Sequence, residues 1–172
     1  MNALPLETLY VTRIEEVLWG SVLVAITLAI HGFGMLLTLR SNHGLKAWLN
    51  RPQSFVFGMG SIIVASWMII VVHLVEVSVW ARFFLWKDAL ANGNASLCYY
   101  FALMDYTTLG SNYNLKLDWR LLEGMIAIAG LLTFAWSTGV LFVLADEFQD
   151  QQLQKGRREP PSSKPGPAPT HP

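Results

Sequence analysis

Three long apolar runs constrain this chain more than any other feature: residues 17–39, 55–80 and 124–145. None holds a lysine or arginine, and the only acid among them is Glu76. Each supplies the roughly 20 residues, at about 1.5 Å rise apiece, that cross about 30 Å of hydrocarbon. Composition agrees, with 53% hydrophobic residues and only 14% charged, against about 25% charged in soluble domains. The chain is expected to be an all-α integral membrane protein. Equal basic and acidic counts, 12 each, argue against nucleic acid as a partner. The leader carries Glu7, Glu15 and Glu16 with only Arg13, unlike the basic start of a signal peptide. The lone Cys98 forms no intrachain disulfide.

A fourth apolar stretch, residues 97–109, is about a dozen residues long and holds Asp105, Thr107 and Thr108. That length suits a segment dipping into the bilayer and returning better than a span. The turn signal Asn92-Gly93-Asn94 precedes it. Counting basic residues near the span ends ties between this three-span arrangement and a four-span one. The side on which the N-terminus lies is therefore left open. Three units follow: 1–54, an N-terminal segment, first span and basic loop carrying Arg40, Lys46 and Arg51; 55–148, two spans flanking the short segment; and 149–172, a polar then Pro-rich tail that cannot bury enough apolar surface to fold.

His31, His73 and Glu76 lie inside the apolar runs. Ionisable groups there cost roughly 2.5–3.5 kcal/mol on insertion scales and are functional candidates by default. His73 and Glu76, three apart, share a helix face. With the runs taken as the spans, His31 and His73 differ in depth by about 15 Å, too far for shared metal ligands unless they meet across subunits or through strong helix stagger. Hydrogen bonds across helices are then the first expectation, with gating or pH sensing the functional alternative. Asp105 either draws cations or hydrogen-bonds locally. The chain shows no paired nucleophile and base, no phosphate loop and no spaced ligand set, so an enzymatic role is not expected.

The ordered combination of several pieces carries a resemblance. They are His31-Gly32-Phe33-Gly34; His73-Leu74-Val75-Glu76 followed by Val79-Trp80-Ala81; Tyr99-Tyr100-Phe101-Ala102; Tyr106-Thr107-Thr108-Leu109-Gly110; Trp119-Arg120-Leu121-Leu122; and Phe134-Ala135-Trp136-Ser137-Thr138. The stretch 73–148 resembles the two-helix pore module of bacterial potassium channels. Most of 17–148 resembles small bacterial potassium-channel-like proteins with one extra N-terminal transmembrane helix. The resemblance implies three transmembrane helices plus a re-entrant pore helix over residues 97–106, a homotetramer in the bacterial inner membrane, monovalent cations (K⁺ or Na⁺) as cargo, and no bound cofactor.

It also implies an ion pathway along Thr107, Thr108, Leu109 and Gly110, then Ser111 and Asn112, with Gly130 a candidate hinge in the inner helix. Backbone carbonyl rings replace the hydration shell of an ion in such a filter. Inward-pointing consecutive carbonyls demand positive φ at alternate residues, which favours glycine. The family pattern continues Gly-Tyr-Gly-Asp, whereas this chain reads Gly110-Ser111-Asn112-Tyr113. Asn112 is expected to stand in for the second glycine, because asparagine tolerates left-handed backbone. Ser111 cannot brace a filter as an aromatic would, so potassium selectivity is expected to be weak or lost. A non-conducting scaffold or regulatory subunit with the same fold is the alternative.

Overall fold

The computed structural model describes residues 11–49 and 55–158, and among these the chain is all-helical. The elements are α1 (Ile14–Leu49), α2 (Phe55–Trp86), the short α3 (Ala95–Tyr106), a single 3₁₀ turn (Leu117–Trp119) and α4 (Leu121–Arg158). Three stretches, Ile14–Ser41, Gly58–Trp86 and Leu117–Gln154, are long and apolar enough to cross a bilayer. Apolar sequence of this length becomes helix because hydrocarbon offers no partner for an open backbone N–H or C=O. Large apolar side chains stand on the outside, with Phe33 71% and Trp67 65% exposed, as a lipid-facing surface requires. The chain is a multi-pass membrane protein.

Side-chain pairings set the helix directions. Thr27 meets Trp80 and His31 meets Glu76, so α1 and α2 are antiparallel. The Glu16 carboxylate accepts the backbone N–H of Leu121, the first residue of α4, while His31 meets Ser137, so α1 and α4 run parallel. A carboxylate at a helix start suits the positive end of the helix dipole. At the same end Lys87 Nζ sits 4.9, 4.5 and 5.3 Å from the ring centroids of Trp19, Trp86 and Trp119. At the opposite end Phe55 of α2 packs on Phe148 of α4.

The segment between α2 and α4 leaves and returns at one end of the bundle. Leu90 bridges Leu115, and Lys116 N–H donates to the Ala89 carbonyl at 2.8 Å. Asn94 starts α3 as its N-cap, with its side chain accepting from Leu97 N–H at 2.8 Å, a contact that satisfies a donor the helix cannot. α3 then turns back alongside α2: Phe101 packs on Phe84, and Tyr106 reaches Glu76. Phe101, Ala102 and Tyr106 are buried with Trp80, Phe84 and Leu122 in one core.

Two boundaries differ from the sequence reading. α1 continues through Arg40 to Leu49, so most of the expected basic loop is helix. α4 continues through Arg158, so residues 149–158 are ordered helix rather than tail. The α4 extension is rich in residues of good helix propensity, whereas the α1 extension passes through the weak formers Ser41, Asn42, His43 and Gly44; an apolar count ends a span where the hydropathy falls, not where the helix does. Residues 1–10, 50–54 and 159–172, including the Pro-rich tail, lie outside the described residues.

Candidate functional site

Four helices meet at a buried polar cluster. His31 comes from α1, His73 and Glu76 from α2, Tyr106 from α3, and Thr133 and Ser137 from α4. His31, Glu76 and Thr133 are fully buried, and Tyr106 and Ser137 nearly so. His31 Nδ1 lies 3.0 Å from Glu76 Oε1. The other carboxylate oxygen, Oε2, accepts the Tyr106 hydroxyl and lies 3.4 Å from His73 Nδ1. The Tyr106 oxygen is 3.0 Å from His73 Nδ1 and 2.6 Å from Thr133 Oγ1. Ser137 Oγ closes the circuit, 3.0 Å from His73 Nε2 and 3.3 Å from His31 Nε2. Trp136 and Phe134 flank the imidazoles, 5.5 Å from His31 and 4.6 Å from His73 between ring centroids.

The depth argument that kept His31 away from His73 is overturned. The two rings are 5.2 Å apart. The error lay in the C-terminal end of α1, since α2 starts at Phe55 as expected. Counted from the true ends, His31 stands 49 − 31 = 18 residues before the close of α1, and His73 stands 73 − 55 = 18 residues after the start of α2. Antiparallel neighbours therefore bring them level.

The Tyr106, Thr133 and Ser137 contributions escaped the sequence reading. The signal was present in the spacing of Thr133 and Ser137, four apart on α4 and so on one helix face. Burial and then the Glu76 carboxylate push the Tyr106 hydroxyl further up, so it stays a donor. The ligand-capable atoms of His31, His73 and Glu76 lie within 4.8 Å of one another, a donor set that zinc accepts. Each of these nitrogens and oxygens already faces a protein partner, and among the described residues no buried side-chain N or O lacks one.

The expected filter stretch begins where this cluster ends. Thr107 turns its hydroxyl back to the Leu103 carbonyl at 2.8 Å. The N–H groups of Leu109 and Gly110 both reach the Met104 carbonyl, at 3.0 and 3.2 Å. The Leu109 bond is the six-to-one closure, through left-handed Thr108, of a Schellman-type helix end. Thr108 (φ +61°) and Gly110 (φ +73°) are left-handed, two residues apart, while Asn112 is not. Asn112 therefore does not replace the second glycine by its backbone. The left-handed position falls instead on Thr108, a β-branched residue for which it is a strained outlier. Leu109 is 74% exposed. Ser111 Oγ accepts from Tyr113 N–H at 3.2 Å, a local turn.

Gly130 lies against the end of α3. A Cβ there would overlap the Tyr106 carbonyl oxygen, so its role in the structure is close approach, and α4 runs through it as helix. Beside the loop, Asp105, Thr108, Gly110, Ser111 and Glu123 help line a cleft of about 260 Å³. Glu123 Oε1 accepts Leu115 N–H at 2.7 Å. Burial and then the charge of Glu123 push the Asp105 carboxyl up to about 6. Such a group stabilises the fold fully below its unfolded value near 3.9, and the contribution is lost as pH rises through about 6. Asp105→Asn is therefore expected to raise the thermal midpoint in detergent at pH 8 and leave it unchanged at pH 4. An equal change at both values would contradict this assignment.

Comparison with protein-family models, with curated proteins and with solved structures finds no match for this chain.

Proposed function

We propose that this chain is the subunit of a potassium-channel-like homotetramer in a bacterial inner membrane, conducting cations passively with weak or lost potassium selectivity. The observation that carries the reading is the path of residues 89–116. Its two ends join at one end of the bundle through Ala89 and Lys116, while its middle reaches Glu76 and Gly130. Gly130 is 130 − 121 = 9 residues into α4, about 14 Å along the helix, near half of a hydrocarbon core about 30 Å thick. A re-entrant α3 would aim its negative dipole end at that depth, where a dehydrating cation needs it.

Irregular backbone at such depth is tolerated where protein encloses it or where it lines water. The exposed loop from Thr107 to Asn112 meets that condition if four copies surround an axis, each supplying a quarter of the oxygen ring. The strained Thr108 supports the same reading, since costly backbone conformations concentrate at functional sites. Thr107, Thr108, Leu109 and Gly110 would present the oxygens, and Ser111 and Asn112 the outer mouth.

The test is flux of K⁺ and Na⁺ from liposomes holding the purified full chain, beside Thr108→Ala. Comparable release of both ions, altered by the substitution, is expected. A strong preference for K⁺ would overturn the selectivity claim, and no release from a monomeric protein would overturn the channel reading. One observation favours the alternative, a non-conducting scaffold: the Leu109 and Gly110 N–H groups fold the loop back onto the Met104 carbonyl rather than extending it.

A further inference from the structure

The buried cluster is a closed ring of five contacts, and its hydrogens can be counted. In order they join His31 to Glu76, Glu76 to Tyr106, Tyr106 to His73, His73 to Ser137, and Ser137 back to His31. Each contact needs one hydrogen between its partners. A neutral imidazole carries one donor, a hydroxyl one, and an ionised carboxylate none. Two neutral histidines, Tyr106 and Ser137 therefore supply four hydrogens for five contacts. Thr133 adds one hydrogen and one contact, to the Tyr106 oxygen at 2.6 Å, so the shortfall of one hydrogen is unchanged. With four hydrogens, one pair of lone pairs must face each other. The ring then also carries an uncompensated carboxylate charge inside the membrane, which is costly.

We propose that this ring is a binding site for one additional proton, held on an imidazole as the counter-charge of Glu76. With it every contact is filled. His31 donates through Nδ1 to Glu76 and through Nε2 to Ser137. Ser137 donates to His73 Nε2, His73 Nδ1 and the Thr133 hydroxyl donate to the Tyr106 oxygen, and Tyr106 donates to Glu76. Net charge in the ring is then zero. In that arrangement the carboxylate accepts from both His31 and Tyr106.

The titratable groups facing the site are His31 from α1, His73 and Glu76 from α2 and Tyr106 from α3; the α4 members, Thr133 and Ser137, are hydroxyls that do not titrate. Asp105 and Glu123 line the cleft beside the loop. The proposal holds whether or not the loop conducts. It carries a consequence for that loop, because Tyr106 directly precedes Thr107: proton loss leaves one contact of the ring unfilled and loosens the anchor of the α3 end.

The test is solid-state NMR of the full chain in lipid bilayers, with ¹⁵N-histidine and ¹³C-glutamate labels. His43→Ala and His171→Ala in the background leave two of the four histidines. At pH 7.5 an ordinary imidazole, with a pKa near 6.5, is about one-tenth protonated. The expected spectrum instead shows one full imidazolium, one neutral ring and an ionised Glu76. Glu76→Gln, which keeps the side-chain shape and removes the charge, is expected to abolish the imidazolium. Neutral rings beside a protonated Glu76 overturn the proposal, since the proton then sits on the carboxyl and no imidazolium balances a charge. Two neutral rings with an ionised Glu76 overturn the proposal, as does an imidazolium that survives in a folded Glu76→Gln protein. One equivalent of metal per chain, measured by elemental analysis of protein purified without chelator or affinity resin, also overturns it.

Discussion

Glu76→Leu is expected to destabilise the protein by about 3–5 kcal/mol, the usual cost of removing one partner of a buried ion pair. That is a large share of the roughly 5–15 kcal/mol that holds a typical domain together. Leucine fills similar volume, so cavity formation is a minor part of the loss. The damage comes from what remains: a buried Tyr106 hydroxyl and His31 Nδ1 that both pointed at the carboxylate. Leucine cannot accept from either, and desolvated donors without acceptors are costly. Thermal unfolding in detergent, followed by size-exclusion recovery, checks this. Glu76→Gln retains an acceptor and a similar shape, so its loss is expected to be smaller. A leucine variant that melts with the natural protein would show that the ring contributes little to stability.

Gly130→Val is expected to be the most damaging substitution outside the polar ring. Even the first atom of a side chain at this position overlaps the Tyr106 carbonyl oxygen. Backbone cannot rotate away as a flexible side chain can, so α3 as a whole must move off α4. Overpacking of this kind costs about 1–3 kcal/mol, and displacement of Tyr106 adds broken hydrogen bonds. Gly139→Val provides the control. It lies on the same helix, a Cβ there meets nothing within 4 Å, and leaving glycine slightly favours helix. The expected pattern is a sharp fall in melting temperature for Gly130→Val and none for Gly139→Val. Equal effects would mean that the approach of α3 to Gly130 is not a constraint on the fold.

The spans were legible because hydropathy and length decide them; the short helix over 97–106 was implied by the pore-module resemblance, and Ala95–Tyr106 form one. The candidate site was legible only in part. His31, His73 and Glu76 stand out as ionisable groups in apolar sequence, but their meeting depends on where α1 ends. That end lies beyond the polar residues 40–46, which hydropathy assigns to a loop. Tyr106 and Ser137 were harder still. A tyrosine and a serine in a membrane segment are unremarkable alone, and only their convergence on Glu76 and the histidines gives them a role. Asn112 shows the opposite limit. Its tolerance for left-handed backbone was real, but the helix end at Met104 placed that conformation on Thr108 instead.

The circuit draws on all four helices, which bears on how the polypeptide matures as it leaves the ribosome. α1 alone would carry an imidazole into lipid with no acceptor, and an α1–α2 pair would still lack the hydroxyls of Tyr106 and Ser137. Every truncated product thus holds polar atoms without mates, and only insertion of α4 supplies the last ones. Helix-by-helix accumulation of stability is unavailable to such a chain. Chains halted before residue 137 are expected to be less stable than the full chain, because the last hydroxyl of the circuit is missing.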